Sequence, residues 1–355
     1  MNASAPVVAP DSSPVSAPRR SAQPLPSPAT LRQRLPLDDA LARRIAQDRQ
    51  QIRAVLEGSD PRLLVVVGPC SLHERGAALE FARRLAQLRE EVGDQLLLVM
   101  RAYGEKPRTT VGWKGLLYDP HLDGSGDLAA GLALSRQLML EILGCGLPIA
   151  SELLQPLAVG YFDDLLGWAA IGARTSESQV HREMVSGLDL PVGFKNGTDG
   201  SLAIACDAMR SAAHPHRHFG LDELGHPAVL ESRGNPDTHL VLRGGNAGPN
   251  HDPQSLARAR QALLEQGLAP RIMVDCSHAN SGKDPLRQPA VLDSVLRQRL
   301  AGDASLRGVM LESHLFDGCQ PLKGELRYGV SITDGCLGWD STARALRDAA
   351  GRLRG

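Results

Sequence analysis

The sequence predicts an α/β protein built as a (β/α)8 TIM barrel, and three observations support that fold. Eight short apolar runs recur between residues 63 and 314. Helix-like segments, in which apolar residues repeat every three or four positions, separate several of these runs. The chain has 355 residues, enough for such a barrel of about 250 residues together with extensions.

The predicted strands are continuously apolar, as expected for parallel strands that are buried on both faces. They cover residues 63–68, 95–100, 148–154, 168–173, 191–195, 239–244, 271–277 and 308–313. Helices are predicted at residues 77–92, 131–146, 252–267 and 288–303. Because strand and helix alternate along the chain, the sheet is expected to be parallel.

Three ranges divide the chain. Residues 1–30 are rich in Pro, Ala and Ser and are predicted to be a disordered tail. Residues 31–62 are predicted to form an N-terminal arm with a helix that ends at Gly58. Residues 63–355 would then be the catalytic barrel, with an extra hairpin between strands five and six that includes residues 226–232.

Composition limits the classes of partner. The formal net charge is -1, so no global field attracts nucleic acid or an acidic membrane surface. The six cysteines are scattered without a CxxC pair, and the start of the chain lacks a secretory signal pattern. These features favour a soluble cytoplasmic protein that binds neither nucleic acid nor membrane.

Four side chains are candidates for ligands of a divalent metal. An isolated cysteine such as Cys70 is most often a small buried hydrophobe. Cys70, His278 and Glu312, however, follow strands one, seven and eight, which become neighbours when a barrel closes, and Asp334 lies on a loop beyond the last strand. Mixed sulfur, nitrogen and oxygen ligands suit Mn, Fe, Co or Zn better than Mg. We therefore expect one such ion per subunit.

Cations at other strand ends predict an anionic substrate. They are Arg101, Arg174, Lys195 and Arg243. Burying so many unpaired cations would be costly, and arginine binds phosphate and carboxylate bidentately. The alternative is an internal network with Glu152, Asp275 and Glu177. Glu152 is predicted to orient a cation in the substrate site.

The long connection after the second strand, residues 101–130, contains a second cationic cluster. Its segment KPRTT places Lys106 and Arg108 beside the hydroxyls of Thr109 and Thr110. Two cations and two hydroxyls on a proline-restrained backbone would suit a second phosphate. A solvated charged loop is the alternative interpretation.

Several motifs together resemble one enzyme family. They are GPCSLHE, MRAYGEKPRTTVGWKG, GARTSESQVHRE, PVGFKNGTDG, LRGGN, DCSHANS, ESH and SITDGCLGW. The chain resembles the class I 3-deoxy-D-arabino-heptulosonate 7-phosphate (DAHP) synthases, also called phospho-2-dehydro-3-deoxyheptonate aldolases, over roughly residues 28 to 350. These transferases condense phosphoenolpyruvate with erythrose 4-phosphate and water, the first step of the shikimate pathway to aromatic amino acids.

The resemblance assigns roles to the candidate residues. Cys70, His278, Glu312 and Asp334 would hold the metal, and Cys70 and His278 would thereby take part in catalysis. Arg101, Lys106, Arg174, Lys195 and Arg243 would bind phosphoenolpyruvate, with Arg108 and Thr109 on the phosphate of erythrose 4-phosphate. Lys106 lies between the two phosphate sites and is the predicted proton donor.

The resemblance also implies regulation and assembly. Members of this family are commonly homodimers or homotetramers that phenylalanine, tyrosine or tryptophan inhibits. The effector site is expected to combine the N-terminal arm with the region after the fifth strand, here residues 186–193 and 214–226.

Three alternatives to this function remain open at this point. A related octulosonate-8-phosphate synthase would use arabinose 5-phosphate, although the KPRTT segment favours the four-carbon sugar. A Schiff-base aldolase would use Lys195 or Lys106 as its nucleophile. A non-catalytic barrel would only bind an amino acid.

Overall fold

A computed structural model describes residues 22–108 and 110–355. In chain order, the strands of this part are β1 (Leu63–Gly68), β2 (Leu96–Arg101), β3 (Ile149–Glu152), β4 (Trp168–Ile171), β5 (Val192–Lys195), β6 (Arg217–Leu221), β7 (Pro227–Glu231), β8 (Thr238–Leu242), β9 (Ile272–Asp275) and β10 (Leu306–Glu312). The helices are α1 (Pro28–Arg34), α2 (Asp39–Glu57), α3 (Arg75–Val92), α4 (Leu128–Gly144), α5 (Gln179–Ser186), α6 (Ala203–Ala212), α7 (Pro253–Glu265), α8 (Gln288–Leu300) and α9 (Trp339–Leu353). No helix in this part is both long and apolar enough to cross a bilayer.

All the strands except β6 and β7 form one closed parallel barrel, which confirms the predicted fold. Strand β1 pairs with β2 on one side and with β10 on the other, and the register places Gly68 opposite Glu312. Strand β10 also pairs with β9. The closure therefore brings the ends of the first and the last two barrel strands together, as the sequence predicted.

The interior of the barrel is apolar, and α2 covers one end of it. Ile52, Val55 and Leu56 of α2 are buried against inward-facing residues of the strands, including Val66 and Trp168. Asp38 caps the start of α2 by accepting a hydrogen bond from the backbone N–H of Leu41. The helix ends at Gly58, which has a left-handed φ of 91° and confirms the predicted stop.

One polar pair lies inside this apolar interior. The indole Nε1 of Trp168 donates to Nε2 of His239 at 2.9 Å, and both side chains are fully buried. The pair needs the glycine at position 193, because a Cβ there would lie 2.6 Å from Cζ2 of Trp168. A buried donor and acceptor are thereby satisfied without water.

The hairpin outside the barrel lies where the sequence predicted it, whereas the start of the described chain departs from the predicted tail. Strands β6 and β7 form an antiparallel hairpin between β5 and β8. Helix α1 begins at Pro28 and so occupies the last three residues of the range predicted as tail. Residues 1–21 lie outside the described part of the chain.

Candidate active site

A pocket of about 240 Å³ lies at the carboxyl ends of the barrel strands. This is the end at which the catalytic groups of TIM barrels collect. Most of the predicted site residues line it, and they come from strands and loops far apart in sequence: Arg101, Lys106, Arg108, Glu152, Arg174, Lys195, Arg243, His278, Glu312 and Asp334.

Three of the four predicted metal ligands converge. The ligand atoms of Cys70, Glu312 and Asp334 all lie within 4.8 Å of one another. Cys70 and Glu312 are buried, whereas half of the Asp334 side chain is exposed to the pocket. A thiol and two carboxylates form a donor set that fits a divalent transition metal.

His278 is not among the three ligands that lie within 4.8 Å of one another, although it interacts electrostatically with Glu312 and Asp334, and its ring is held by a neighbouring carboxylate. Its Nδ1 is 2.9 Å from Oδ2 of Asp275 and 2.8 Å from Oγ of Ser277. The residue has a φ of 55°, which is uncommon for a side chain other than glycine. A carboxylate on Nδ1 favours the tautomer in which Nε2 keeps its lone pair, the arrangement typical of metal-binding histidines.

Lys106 lies next to the converging ligands. Its Nζ is 2.7 Å from Sγ of Cys70 and 3.0 Å from Oδ2 of Asp334. Burial by itself would lower the pKa of Lys106, but the interaction with the Cys70 side chain and the negative charges of Glu312 and Asp334 raise it above its ordinary value. The ammonium group is therefore charged at neutral pH.

The ligands themselves respond to burial and to this charge in different ways. Burial raises the pKa of the Cys70 thiol to about 12, and Glu312 contributes to the rise. Burial also works against the ionised form of Glu312, but His278, Lys106 and Arg101 outweigh it and lower the pKa of that carboxyl. Lys106 and His278 likewise hold the pKa of Asp334 below its usual range against the effect of burial. The two carboxylates are thus ionised at neutral pH.

Arg101 lies beneath this cluster and is almost completely buried. Its Nη2 donates to Oε1 of Glu312 at 3.1 Å, and its guanidinium carbon lies 3.9 Å from the centre of the Tyr103 ring. Further donation goes to the backbone oxygens of Pro69 and Cys70. These contacts orient a metal-ligand candidate, while the arginine also forms part of the pocket wall.

The other strand-end cations line the same pocket. Lys195 is buried, and its Nζ donates to Oδ2 of Asp275 at 2.9 Å. Arg243 is half-buried; burial lowers its pKa and the neighbouring Arg174 lowers it further, whereas Asp275 opposes the change. Arg174 also lines the pocket. Three cations therefore face a common space that suits an anion with several oxygens.

Two predicted substrate residues come from the wall and the long loop. Oε1 of Glu152 lies so close to Gly172 that a Cβ there would be only 2.3 Å away. Nε of Arg108 donates to the backbone oxygen of Trp113 at 2.8 Å, which anchors the loop at the pocket edge. Thr109 lies outside the described residues.

Two buried residues belong to the site although the strand-end pattern did not single them out. Asp275, predicted only as a possible ion-pair partner, contacts both Lys195 and His278. Gln288 is fully buried and exchanges two hydrogen bonds with the backbone of Glu312. An aspartate directly after the apolar residues 272–274 was the available signal for Asp275, whereas Gln288 stands at the start of α8 and had none.

The chain is similar to known proteins over nearly its whole length. Residues 42–347 match the family described as the DAHP synthetase I family. The Tyr-sensitive phospho-2-dehydro-3-deoxyheptonate aldolase of Escherichia coli is 52% identical over 336 residues, which cover 94% of each chain. The Phe-sensitive enzyme of the same organism is 48% identical over 92% of this chain and 94% of its own length.

A solved structure agrees with these sequence similarities. The phospho-2-dehydro-3-deoxyheptonate aldolase of Francisella tularensis superposes with a TM-score of 0.92 at 39% sequence identity. The match covers 94% of this chain and 98% of that one. A complete barrel and a shared sequence over its length, together with the family match, establish that the chain belongs to the DAHP synthetase I family.

Proposed function

We propose that this transferase-class enzyme condenses phosphoenolpyruvate with erythrose 4-phosphate and water to form DAHP and phosphate, the first step of the shikimate pathway. The observation that carries the proposal is the pocket itself, in which three metal-ligand candidates adjoin a set of buried cations. Two phosphorylated substrates need cations for both phosphates. The repeated arginine and lysine side chains meet that need.

The bond changes define what the side chains must do. The enol carbon of phosphoenolpyruvate bonds to the aldehyde carbon, water adds to the carbon that bears the phosphate, and cleavage of that C–O bond releases phosphate. Arg174, Lys195 and Arg243 would hold the phosphate and carboxylate of phosphoenolpyruvate. Arg108 and Thr109 would hold the other phosphate, and both sets offset repulsion between the anions.

The remaining groups act on the aldehyde. Cys70, His278, Glu312 and Asp334 would hold a divalent ion of Mn, Fe, Co or Zn, which would supply Lewis-acid polarisation of the aldehyde oxygen. Lys106 is charged and lies against this ligand set, so its ammonium group is placed to give a proton to the oxygen that becomes a hydroxyl. Arg101 would keep Glu312 oriented toward the ion.

Phosphate release tests this function. Phosphate should appear only when phosphoenolpyruvate and erythrose 4-phosphate are both present, should stop on treatment with EDTA, and should return with Mn²⁺. Cys70→Ala should abolish the recovery, and full activity in that variant would contradict the proposal. A preference for arabinose 5-phosphate would instead support an octulosonate-8-phosphate synthase. Borohydride trapping of substrate on Lys195 or Lys106 would support a Schiff-base aldolase.

A second cavity suits the proposed aromatic effector. It has a volume of about 640 Å³ and lies between α1, α5, the segment after β3 and the β6–β7 hairpin. Its wall includes the apolar Leu188 and Leu221 and the charged pair Arg32 and Asp163. An aromatic amino acid carries an apolar ring, a carboxylate and an ammonium group, so this combination matches its chemistry.

Inhibition assays test the effector proposal. Phenylalanine, tyrosine and tryptophan should be added separately to the phosphate-release assay, and one of them should inhibit. Leu188→Trp fills the cavity and should abolish inhibition while activity remains. An unchanged inhibition curve in this variant would place the effector elsewhere.

The same side of the barrel supports a proposed homodimer or homotetramer. Phe219, Leu224 and Val229 of the hairpin region expose large apolar surfaces to solvent, with Phe219 74% exposed. Apolar surface of this kind is typical of protein interfaces. Light scattering after gel filtration should give a mass above that of one chain, and Phe219→Lys should lower it.

We also propose a cytoplasmic location. All six cysteines are free in the structure, which suits a reducing compartment. Fluorescence of a tagged chain in intact cells would test this directly.

A further inference from the structure

We propose that Asp275 is a positioning residue that couples the metal site to the phosphoenolpyruvate site, because one of its carboxylate oxygens holds a side chain from each. The inference rests on the function proposed above for this pocket. Asp275 itself neither reacts nor binds substrate. It affects two separate binding equilibria, that of the metal ion and that of phosphoenolpyruvate.

The contacts of Asp275 use both of its oxygens inside the protein. Oδ2 accepts from Nζ of Lys195 at 2.9 Å and lies 2.9 Å from Nδ1 of His278. Oδ1 accepts from the backbone N–H of Ser277 at 3.0 Å and from its hydroxyl at 2.6 Å. The residue has no exposed surface, so it acts through the groups that it holds.

The contact with His278 determines which ring nitrogen is available. With Nδ1–H directed at Oδ2, the lone pair of Nε2 is left for a metal ion. His278 also has a left-handed backbone conformation, which normally costs free energy in a residue with a Cβ. A fully buried carboxylate that bonds the ring contributes to holding it in this conformation.

The contact with Lys195 orients a cation of the substrate pocket. A lysine has four flexible side-chain bonds, and fixing them costs conformational entropy when a ligand binds. The bond to Asp275 meets part of that cost, but the carboxylate also offsets the charge of Lys195 and so weakens its attraction for an anion. Its ammonium group has further donors that can bind a phosphate or carboxylate oxygen of phosphoenolpyruvate.

Sharing a single oxygen makes the two sites interdependent. An ion on Nε2 withdraws electron density from the imidazole, which strengthens the Nδ1–H bond to Oδ2 and weakens the competing bond from Lys195. The ammonium group is then freer to bind an incoming anion. Coupling of this kind is reciprocal, so phosphoenolpyruvate on Lys195 should also favour the metal-bound form.

Binding measurements on Asp275→Asn test the inference. Affinity for Mn²⁺ is measured by equilibrium dialysis without substrates, and affinity for phosphoenolpyruvate is measured by calorimetry on metal-free protein. Mn²⁺ affinity should fall by about 10- to 100-fold, as for other lost partners of metal-binding histidines. Phosphoenolpyruvate affinity of the metal-free protein should instead rise several-fold, because the charge of Lys195 is no longer offset by a carboxylate.

Asp164→Asn is the matched control, because Asp164 pairs with the buried Arg136 outside this pocket. It should leave both affinities unchanged. Both affinities within twofold of wild type in Asp275→Asn would overturn the inference. Wild-type protein that binds neither Mn²⁺ nor phosphoenolpyruvate would instead refute the proposed function, so the two failures are distinguishable.

A second pair of variants keeps the test open if Asp275→Asn does not fold. Lys195→Met and Arg243→Met each remove one cation from the pocket wall, but of these two only Lys195 donates to the Asp275 oxygen that faces His278. Lys195→Met should therefore tighten Mn²⁺ binding several-fold more than Arg243→Met does. Equal changes would show a simple charge effect and would overturn the coupling.

Discussion

Glu105 should make the protein less stable as the pH rises through the weakly acidic range. Its side chain is only 8% exposed and lies between the long connection after β2 and the segment after β3. The backbone N–H of Gln155 and the hydroxyl of Tyr118 donate to it, each at 3.3 Å. Burial nevertheless dominates, and with the nearby charge of Glu152 it raises the pKa of Glu105 from 4.5 to about 7.

The size of the change in the free energy of unfolding follows from the difference between these two pKa values. Below pH 4.5 the carboxyl group is protonated in the folded and unfolded states, so it carries no penalty. Between pH 4.5 and 7 the unfolded state ionises first, and stability falls until the folded state also ionises. At about 1.4 kcal/mol per pH unit, the free energy of unfolding falls by about 3 kcal/mol over this interval.

Glu105→Gln removes the ionisable group and nearly preserves its shape. Urea unfolding of both proteins at pH 4.5, 6 and 8 measures the difference between their free energies of unfolding. Relative to wild type, the variant should gain about 3 kcal/mol between the lowest and the highest pH. The exposed control Glu90→Gln tests whether loss of any carboxyl group has this effect. A difference between wild type and Glu105→Gln that is constant with pH would refute the reasoning.

Three further predictions concern the core and the site. Gly193→Ala should destabilise the barrel by about 1–3 kcal/mol in urea unfolding, because the new Cβ would crowd Trp168; an unchanged midpoint would contradict this. Burial lowers the pKa of His239 to about 4, so the wild-type protein should lose stability as the pH falls from 6.5 to 4. The variant His239→Gln should lose less, and parallel acid unfolding curves for the two proteins would contradict this prediction. Gln288→Leu should lower the free energy of unfolding by about 1–3 kcal/mol and weaken Mn²⁺ binding, because the backbone of Glu312 loses both hydrogen bonds to this side chain. Unaltered Mn²⁺ dialysis curves would show that Gln288 does not support the metal site.

The barrel was predictable because its signal is local and repeated. Apolar runs long enough for one strand alternate with amphipathic segments, and few other folds accommodate that pattern. The shorter helices α5 and α6, of 8 and 10 residues, were not recognised because too few turns repeat to establish a period. Closure of the sheet into a barrel then follows from the strand order, and it places the end of β1 beside the ends of β9 and β10.

Sequence alone therefore determined the fold and the residue types gathered at one end of it, since strand ends in a parallel barrel must share a rim. Only the tertiary structure decided how these side chains pair. It placed Lys106 against Cys70, tied Arg101 to Glu312 and made Asp275 the common partner of Lys195 and His278. Such pairings depend on distances of a few ångströms between residues remote in the chain, and no periodicity of the sequence encodes them.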